Sequence, residues 1–349
     1  VEFIKFLINK IKIINNIKDG HYKMKAIDCG TGFFVSVNNQ DITLQRNAFL
    51  TIDKAVTTLR QLKTLNVPYI EINNKLHIIG QKAYEYAQVF GNKDLKRPMA
   101  QGLLNPTEQD AFPILREIIS GLVGTASQEN ERIVYCIPGK PIDKSQEIDY
   151  HKDVLKQIIE SLGYSARAIN EATALGLVGL QNSELSGIAI SLGAGMVNFA
   201  ILYAGMSALT FSIAKSGDWI DENVARDCGI TKAKAQYIKE TGNYTIDPAS
   251  TQERTREQQA IKTYYEVLFR YLLANLAKQF ESSNMPTFPK PIPIIIGGGT
   301  ASINGFIEVF RDQFQAKQFP LEISEIKIVD EPLTAVARGC YLEAQLEEN

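Results

Sequence analysis

The sequence predicts an α/β protein made of two related halves, and three observations carry that expectation. From Met24 onward, short apolar runs punctuated by glycine, asparagine and proline alternate with segments of 3.6-residue periodicity, the signature of sheets interleaved with helices. A strand that ends in a glycine turn occurs twice, as Ile27-Asp28-Cys29-Gly30-Thr31-Gly32 and as Ile190-Ser191-Leu192-Gly193-Ala194-Gly195. Asp28 and Ser191 stand 163 residues apart, close to half of the 349-residue chain, a length that suits about two domains.

Composition narrows the function classes. The chain is 45% hydrophobic and 22% charged, and its 37 basic and 39 acidic side chains leave a formal charge of −2. That balance lacks the basic excess of a nucleic-acid surface and the polarity of a disordered chain. Cys29, Cys136, Cys228 and Cys340 are far apart and form no C-x-x-C pair, so neither a disulfide framework nor a zinc site is expected. A reducing cytoplasm suits such cysteines, and no apolar run approaches the roughly 18 residues of a membrane span. One segment stands apart: residues 1–24 set Ile4, Leu7, Ile8, Ile11 and Ile14 at helical spacing among five lysines. An N-terminal helix of that kind suits an anionic membrane or a partner groove, and equally a packing arm on the body.

The elements follow in order. Lys25 to Asp28 and Phe33 to Val37 read as strands joined through the first glycine turn, with Ile42 to Leu50 a third strand of the meander. Asp53 to Leu65 reads as a helix, and Tyr69 to Ile79 as a hairpin turning at Asn73-Asn74, since asparagine tolerates left-handed backbone angles. Asn105-Pro106-Thr107-Glu108 resembles a capping box before a helix whose buried face is Ile114, Leu115, Ile118, Ile119 and Leu122. Strand Ile133 to Ile137, helix Gln146 to Leu162, strand Ala166 to Ile169 and a small-residue helix from Glu171 to Leu180 complete the first half. The second opens with another meander, Gly187 to Ser191, Met196 to Leu202 and Ala208 to Ile213. Helices Asp218 to Cys228, Lys232 to Glu240 and Gln252 to Glu281 come next. A proline-rich bend at 286–293 then leads into strand Ile294 to Ile296, a helix from about Ser302, strand Ile326 to Val329 and helix Pro332 to Leu346.

The glycine turns carry the chemistry. Without Cβ atoms, consecutive backbone N–H groups can line an anion-binding concavity, and two such turns could clasp one polyphosphate. Either turn alone is also an ordinary hairpin; the duplication gives the pattern its weight. Gly297-Gly298-Gly299-Thr300 follows an apolar strand and precedes a helix. That cluster fits a base or sugar lying against bare backbone and, equally, tight strand-to-helix packing. No G-x-x-x-x-G-K-[ST] is present and no third glycine completes a dinucleotide fingerprint, which argues against both of those nucleotide folds. His21, His77 and His151 have no metal spacing and read as surface or packing residues.

Five motifs in fixed order then resemble the actin and heat-shock-chaperone ATPase superfamily. Ala168-Ile169-Asn170-Glu171-Ala172-Thr173-Ala174 is similar to its connecting motif, Asp28 to Gly32 to its phosphate-1 motif, Ser191 to Gly195 to its phosphate-2 motif and Ile296 to Gly299 to its adenosine motif. Arg97-Pro98-Met99-Ala100-Gln101-Gly102, Gly217-Asp218 with Asp221, and Glu331-Pro332-Leu333-Thr334-Ala335-Val336 look most like the bacterial cell-shape actin MreB and its relatives. The match spans residues 25–346.

The resemblance implies an actin-like, ribonuclease H-like fold, with two related domains around a cleft for ATP or ADP with Mg²⁺. It divides the chain into an N-terminal extension over 1–24, a first domain over 25–184 with a small subdomain near 59–94, a second domain over 185–332 with a helical subdomain near 217–285, and a C-terminal helix over 333–349 returning to the first. By the same resemblance Asp28 holds Mg²⁺ and Glu171 positions or polarises the attacking water. Gly30, Thr31, Gly32, Ser191, Gly193, Ala194, Gly195 and Asn198 contact phosphates. Gln236, Lys239, Gly297, Gly298, Gly299 and Thr300 contact the nucleoside. The chain departs from the family where Ser191 replaces the usual aspartate, Met196 the common threonine and Ala172 the usual proline, which implies slow hydrolysis with nucleotide binding kept.

The function implied is a cytoplasmic cytoskeletal protein that assembles head-to-tail with itself under nucleotide control, with residues 1–24 offering a means of membrane association. The competing classes are a nucleotide-binding scaffold that does not polymerise and a small-molecule kinase of the same superfamily.

Overall fold

A computed structural model describes residues 24–39, 41–89, 95–105, 107–108, 110–145, 147–282 and 285–346. Apart from Met24, the basic apolar segment predicted over 1–24 lies outside them, as does His21.

Two five-stranded sheets repeat one topology. In the first, β1 (Lys25–Cys29) pairs antiparallel with β2 (Phe33–Asn38), and β2 with β3 (Asp41–Arg46). On its other side β1 runs parallel to β9 (Arg132–Ile137), and β9 to β10 (Ser165–Asn170). In the second sheet β11 (Gly187–Leu192) takes the place of β1. It carries the antiparallel β12 (Val197–Tyr203) and β13 (Met206–Ile213) on one side, with the parallel β14 (Ile292–Gly297) and β15 (Ile323–Ile328) on the other. The duplicated glycine turn is thus the central hairpin of each sheet, at its hinge between antiparallel and parallel strands. Each central strand ends at a topological switch point, where open α/β sheets bind ligands.

Small residues bring the two sheets together. Helices α5 (Glu171–Gly179) and α10 (Ala335–Leu346) lie between them in one apolar cluster that includes Ala26 and Val134 of the first sheet and Ala189 and Ile295 of the second. Ala172, Ala174 and Ala337 let these helices approach closely, and a Cβ on Gly339 would stand 1.9 Å from the Ala174 carbonyl oxygen. A separate cluster anchors the second sheet on the 27-residue helix α8 (Arg256–Ser282) through Ile261, Leu268, Phe269 and Leu276. Thr255 and Gln258 cap that helix reciprocally, each backbone N–H donating to the other's side chain at 3.0 and 3.3 Å.

Several elements differ from the sequence reading. Ile42 to Leu50 is not one strand: β3 ends at Arg46, and β4 (Phe49–Asp53) joins a separate three-stranded sheet with β5 (Tyr69–Ile72) and β6 (Lys75–Ile79). The break is at Asn47, whose polar groups turn back onto the first glycine turn. The β5–β6 turn does lie at Asn73 and Asn74, with φ of 50° and 59°. Asn105 caps no helix; its carboxamide oxygen accepts from the Thr107 N–H and hydroxyl, closing a local turn, and α3 (Ala111–Val123) starts later. Helix α1 spans Val56–Thr64, α2 Gly80–Val89 and α4 Ile148–Glu160. Helix α6 spans Gly217–Cys228, α7 Lys232–Thr241 and α9 Phe306–Gln315, the last preceded by a single 3₁₀ turn at Gly299–Ser302. Among the described residues no helix is long and apolar enough to cross a membrane.

Candidate functional site

The two glycine turns meet. A Cβ on Gly32 would lie 3.1 Å from the Ala194 Cβ, so the turns at the ends of β1 and β11 face each other at contact distance. Both line one cavity of about 390 Å³ between the sheets, within the roughly 300–1,000 Å³ typical of small-molecule sites. A short hairpin, β7 (Met99–Ala100) and β8 (Leu103–Leu104), bears on the same place: Gly102 N–H donates to the Thr31 hydroxyl at 2.9 Å. Gly195 has no room for a side chain there, since a Cβ would stand 2.3 Å from the Gly102 nitrogen.

At the closed end of the cavity, two carboxylates are held by neutral donors. Glu171 opens α5, where Asn170 caps the helix by accepting from the N–H groups of Ala172 and Thr173. The Ser191 hydroxyl donates to Glu171 Oε1 at 2.7 Å, and the Asn198 amide donates to Oε2 at 2.8 Å. Ser191 and Asn198 are register partners across β11 and β12, so the pleat aims both at one carboxylate. The Asn198 oxygen in turn accepts from Gly139 N–H at 2.8 Å. Asp28 sits opposite, its Oδ1 accepting from the Cys136 thiol at 2.9 Å.

Burial shapes the charge of this end. Burial, joined by the negative charge of Asp28, pushes Glu171 up to about 8 against the opposing Ser191 hydrogen bond. Burial pushes Asp28 up to about 6 against the bond from Cys136. A hydrogen bond with Cys340, then burial and the Asp28 charge, raises the Cys136 thiol well above its ordinary value and keeps it a donor. Two desolvated carboxylates facing one hollow form a site that a cation or a proton stabilises.

The open end is spanned by charged side chains from both halves. Arg97 Nη1 lies 2.8 and 2.9 Å from the two carboxylate oxygens of Asp218, and Arg97 Nη2 donates to Gln236 Oε1 at 3.1 Å. Gln236 Nε2 donates to Glu240 Oε1 at 2.7 Å, and Glu240 Oε2 accepts from Arg46 at 2.8 Å. Burial opposes ionisation of Asp218, but Arg97, with Lys232 and Lys239, holds it below the usual carboxylate range. Lys239 is fixed by Asp221 at 2.7 Å and by the Gly217 carbonyl at 2.9 Å. Burial pushes Asp221 up to about 6 in spite of that lysine.

The cavity gathers nearly every residue singled out from sequence. Asp28, Gly30, Thr31, Gly32, Glu171, Ser191, Gly193, Ala194, Gly195, Asn198, Gln236, Lys239, Gly298, Gly299 and Thr300 all line it. Gly298 needs to be glycine twice over, with φ of 91° and a Cβ position 2.3 Å from the Leu192 carbonyl oxygen. Gly297 does not line the cavity; its bare Cα makes room for Leu175 of α5, the packing alternative for that cluster. Gln236 reaches the wall with both ends of its amide already engaged. Sequence reasoning passed over Cys136, Glu240 and Tyr265, which also line it. Cys136 was legible only as a neighbour of β1 in the parallel pairing; Glu240 follows Gln236 and Lys239 on α7 but belongs to no motif, and Tyr265 sits on α8, which bears none.

The family model described as Volactin matches residues 24–344. The chain is similar to the MamK double helical filament, with 16% identity and a TM-score of 0.72 over 94% of this chain and 99% of that one. It is similar to MreB 5 of Spiroplasma citri bound to AMPPNP, with 17% identity and a TM-score of 0.68 over 95% and 98% of the two chains. A third likeness is to the ethanolamine utilization protein EutJ from Carboxydothermus hydrogenoformans, with 16% identity and a TM-score of 0.54 over 97% and 98%. No curated protein matches the chain. At these identities the structural likeness speaks to the fold: two α/β halves around a cleft.

Proposed function

The chain belongs to the Volactin family and has the actin-like ATPase fold, and from that premise we propose that it binds ATP or ADP in the cleft and forms head-to-tail filaments under nucleotide control. The observation that carries the reading is the contact of the two glycine turns, Gly32 against Ala194, in a cavity that two half-buried carboxylates, Asp28 and Glu171, also line. In this reading Gly30, Thr31, Gly32, Gly193, Ala194 and Gly195 take the phosphates on backbone N–H groups. Lys239, Gly298, Gly299 and Thr300 take the nucleoside, with Gln236 beside the ribose. One structural relative, MreB5 of Spiroplasma citri, is known in two bound forms, with AMPPNP and with ADP, which supports nucleotide binding by this fold.

The donor set suits Mg²⁺. Asp28 is an anionic oxygen ligand on the cavity wall whose burial leaves its charge uncompensated, and Mg²⁺ prefers one or two carboxylates with water and phosphate. Bound there, the ion would neutralise phosphate charge. The protein's own part is orientation. Glu171, held on both oxygens by Ser191 and Asn198, presents a fixed carboxylate to a water at the phosphate end and takes its proton. Ser191 adds a hydroxyl where relatives add a charge, so hydrolysis is slow and nucleotide binding persists.

Assembly is proposed by analogy with the actin-like fold. A head-to-tail contact uses two different faces of one chain and grows open when its rotation does not close. The similarity to a double helical filament supports this mode. We take residues 25–184 and 185–332 as the two domains, and 333–349 as a return to the first. Sedimentation and negative-stain imaging with ATP, ADP and no nucleotide test the proposal: polymer that depends on nucleotide supports it, and soluble protein in all three contradicts filament formation.

A further inference from the structure

Asn47 stands at the corner where the chain leaves β3 for β4, is fully buried, and lies behind the first glycine turn. Its side-chain Nδ2 donates to the Gly30 carbonyl at 3.0 Å, and its backbone N–H donates to the Gly32 carbonyl at 3.0 Å. In a trans peptide the carbonyl and the following N–H point in opposite directions. Drawing the carbonyls of Gly30 and Gly32 back towards Asn47 therefore drives the N–H groups of Thr31 and Phe33 the other way. Thr31 and Phe33 line the cavity, whereas Asn47 does not.

Carbonyls of the second turn are engaged as well, by different groups. The Gly193 carbonyl accepts from the hydroxyls of Thr300 at 2.8 Å and Ser216 at 2.5 Å, and the Ala194 carbonyl accepts from Asp218 N–H at 2.8 Å. Those bonds turn the N–H groups of Ala194 and Gly195 away from their donors. On the first turn alternate carbonyls are held by a residue outside the cavity lining; on the second, adjacent carbonyls are held, with Thr300 and Asp218 of the cavity wall among the donors. Among the described residues, Asn47 supplies both of these bonds to the first turn.

A cost marks the residue as more than packing. Asn47 Oδ1 is buried and has no hydrogen-bond partner among the described residues, an uncompensated loss of hydration for a neutral polar group. An apolar side chain of equal size would avoid it. We propose that Asn47 is a positioning residue for polyphosphate, orienting the Gly30–Thr31 peptide so that its N–H is available to phosphate oxygen. This rests on the nucleotide reading of the cleft.

The test compares wild type with Asn47→Leu, which keeps the volume and removes the donor, by calorimetry with Mg·ATP and with adenosine. The expected result is about a tenfold loss of ATP affinity, equal to about 1.4 kcal/mol, with adenosine affinity within twofold and a melting temperature not below wild type. Asn47→Asp, similar in shape but unable to donate, gives the same comparison if the leucine variant does not fold, with a larger loss expected from its charge. Unchanged ATP affinity in either folded variant overturns the assignment, as does a parallel loss for ATP and adenosine together with a lowered melt. Failure of folded wild-type protein to bind ATP at all overturns the nucleotide reading itself.

Discussion

Arg97 grips Asp218 with a single guanidinium nitrogen placed 2.8 and 2.9 Å from the two carboxylate oxygens, joining residues 121 positions apart across the mouth of the cleft. Both side chains are largely buried, so their attraction is little screened by solvent. With Arg46 and Glu240 the pair forms a latch between the two halves beside the cavity, whose wall includes Asp218 and Glu240.

Breaking the latch on one side leaves an unpaired buried charge. Arg97→Met is expected to lower stability by about 3 kcal/mol, and the double variant Arg97→Met with Asp218→Leu to recover most of it. Both variants release bound nucleotide faster than wild type. Thermal melts and displacement of a fluorescent ATP analogue check the two outcomes; an unchanged release rate removes the latch role.

Glu171→Gln keeps shape and loses the base. Hydrolysis is expected to fall by about 10² to 10⁴ while ATP binding is kept, read by phosphate release and calorimetry. The same variant reports on charge. Because the folded pKa of Glu171 is raised to about 8, the stability it contributes is complete below its unfolded value and is lost as pH rises from about 4.5 towards 8. In nucleotide-free protein without Mg²⁺, the stability gap in favour of Glu171→Gln therefore widens over that window. A gap that is constant with pH contradicts the buried, protonated carboxyl.

His151 has the opposite sign. Burial lowers it to about 4, and its Nδ1 has no partner among the described residues. The unfolded chain binds this proton near pH 6.5 and the folded one only near 4, so stability falls as pH drops between those values, by about 3 kcal/mol. Denaturant titrations of wild type and His151→Gln at pH 7 and pH 4.5 check it: the variant loses less on acidification. Equal losses contradict the assignment.

The fold was legible where local chemistry decides it. The turn at Asn73-Asn74 and the two glycine turns announce themselves by residues that tolerate or require unusual backbone, and the interval from Asp28 to Ser191 reports the duplication of a whole sheet. Legibility failed where a side chain serves a distant partner. Asn47 interrupts an apparently continuous strand because its polar groups are taken by Gly30 and Gly32, and nothing in the run Ile42 to Leu50 signals that. Arg46 and Glu240 lie 194 positions apart, so their pairing has no trace in sequence spacing. At Gly297 the spacing left two roles open, and the structure shows the close packing against Leu175 that one of them requires.

The central claim is that one nucleotide tail is held where Gly32 meets Ala194. Calorimetric titration of wild-type protein and Gly32→Val with Mg·ATP tests it most directly, because the valine side chain fills the 3.1 Å approach between the turns. The account predicts uptake of one ATP per wild-type chain and none by a folded Gly32→Val. Uptake of ATP by the valine variant with wild-type affinity, or none by folded wild type, would contradict it.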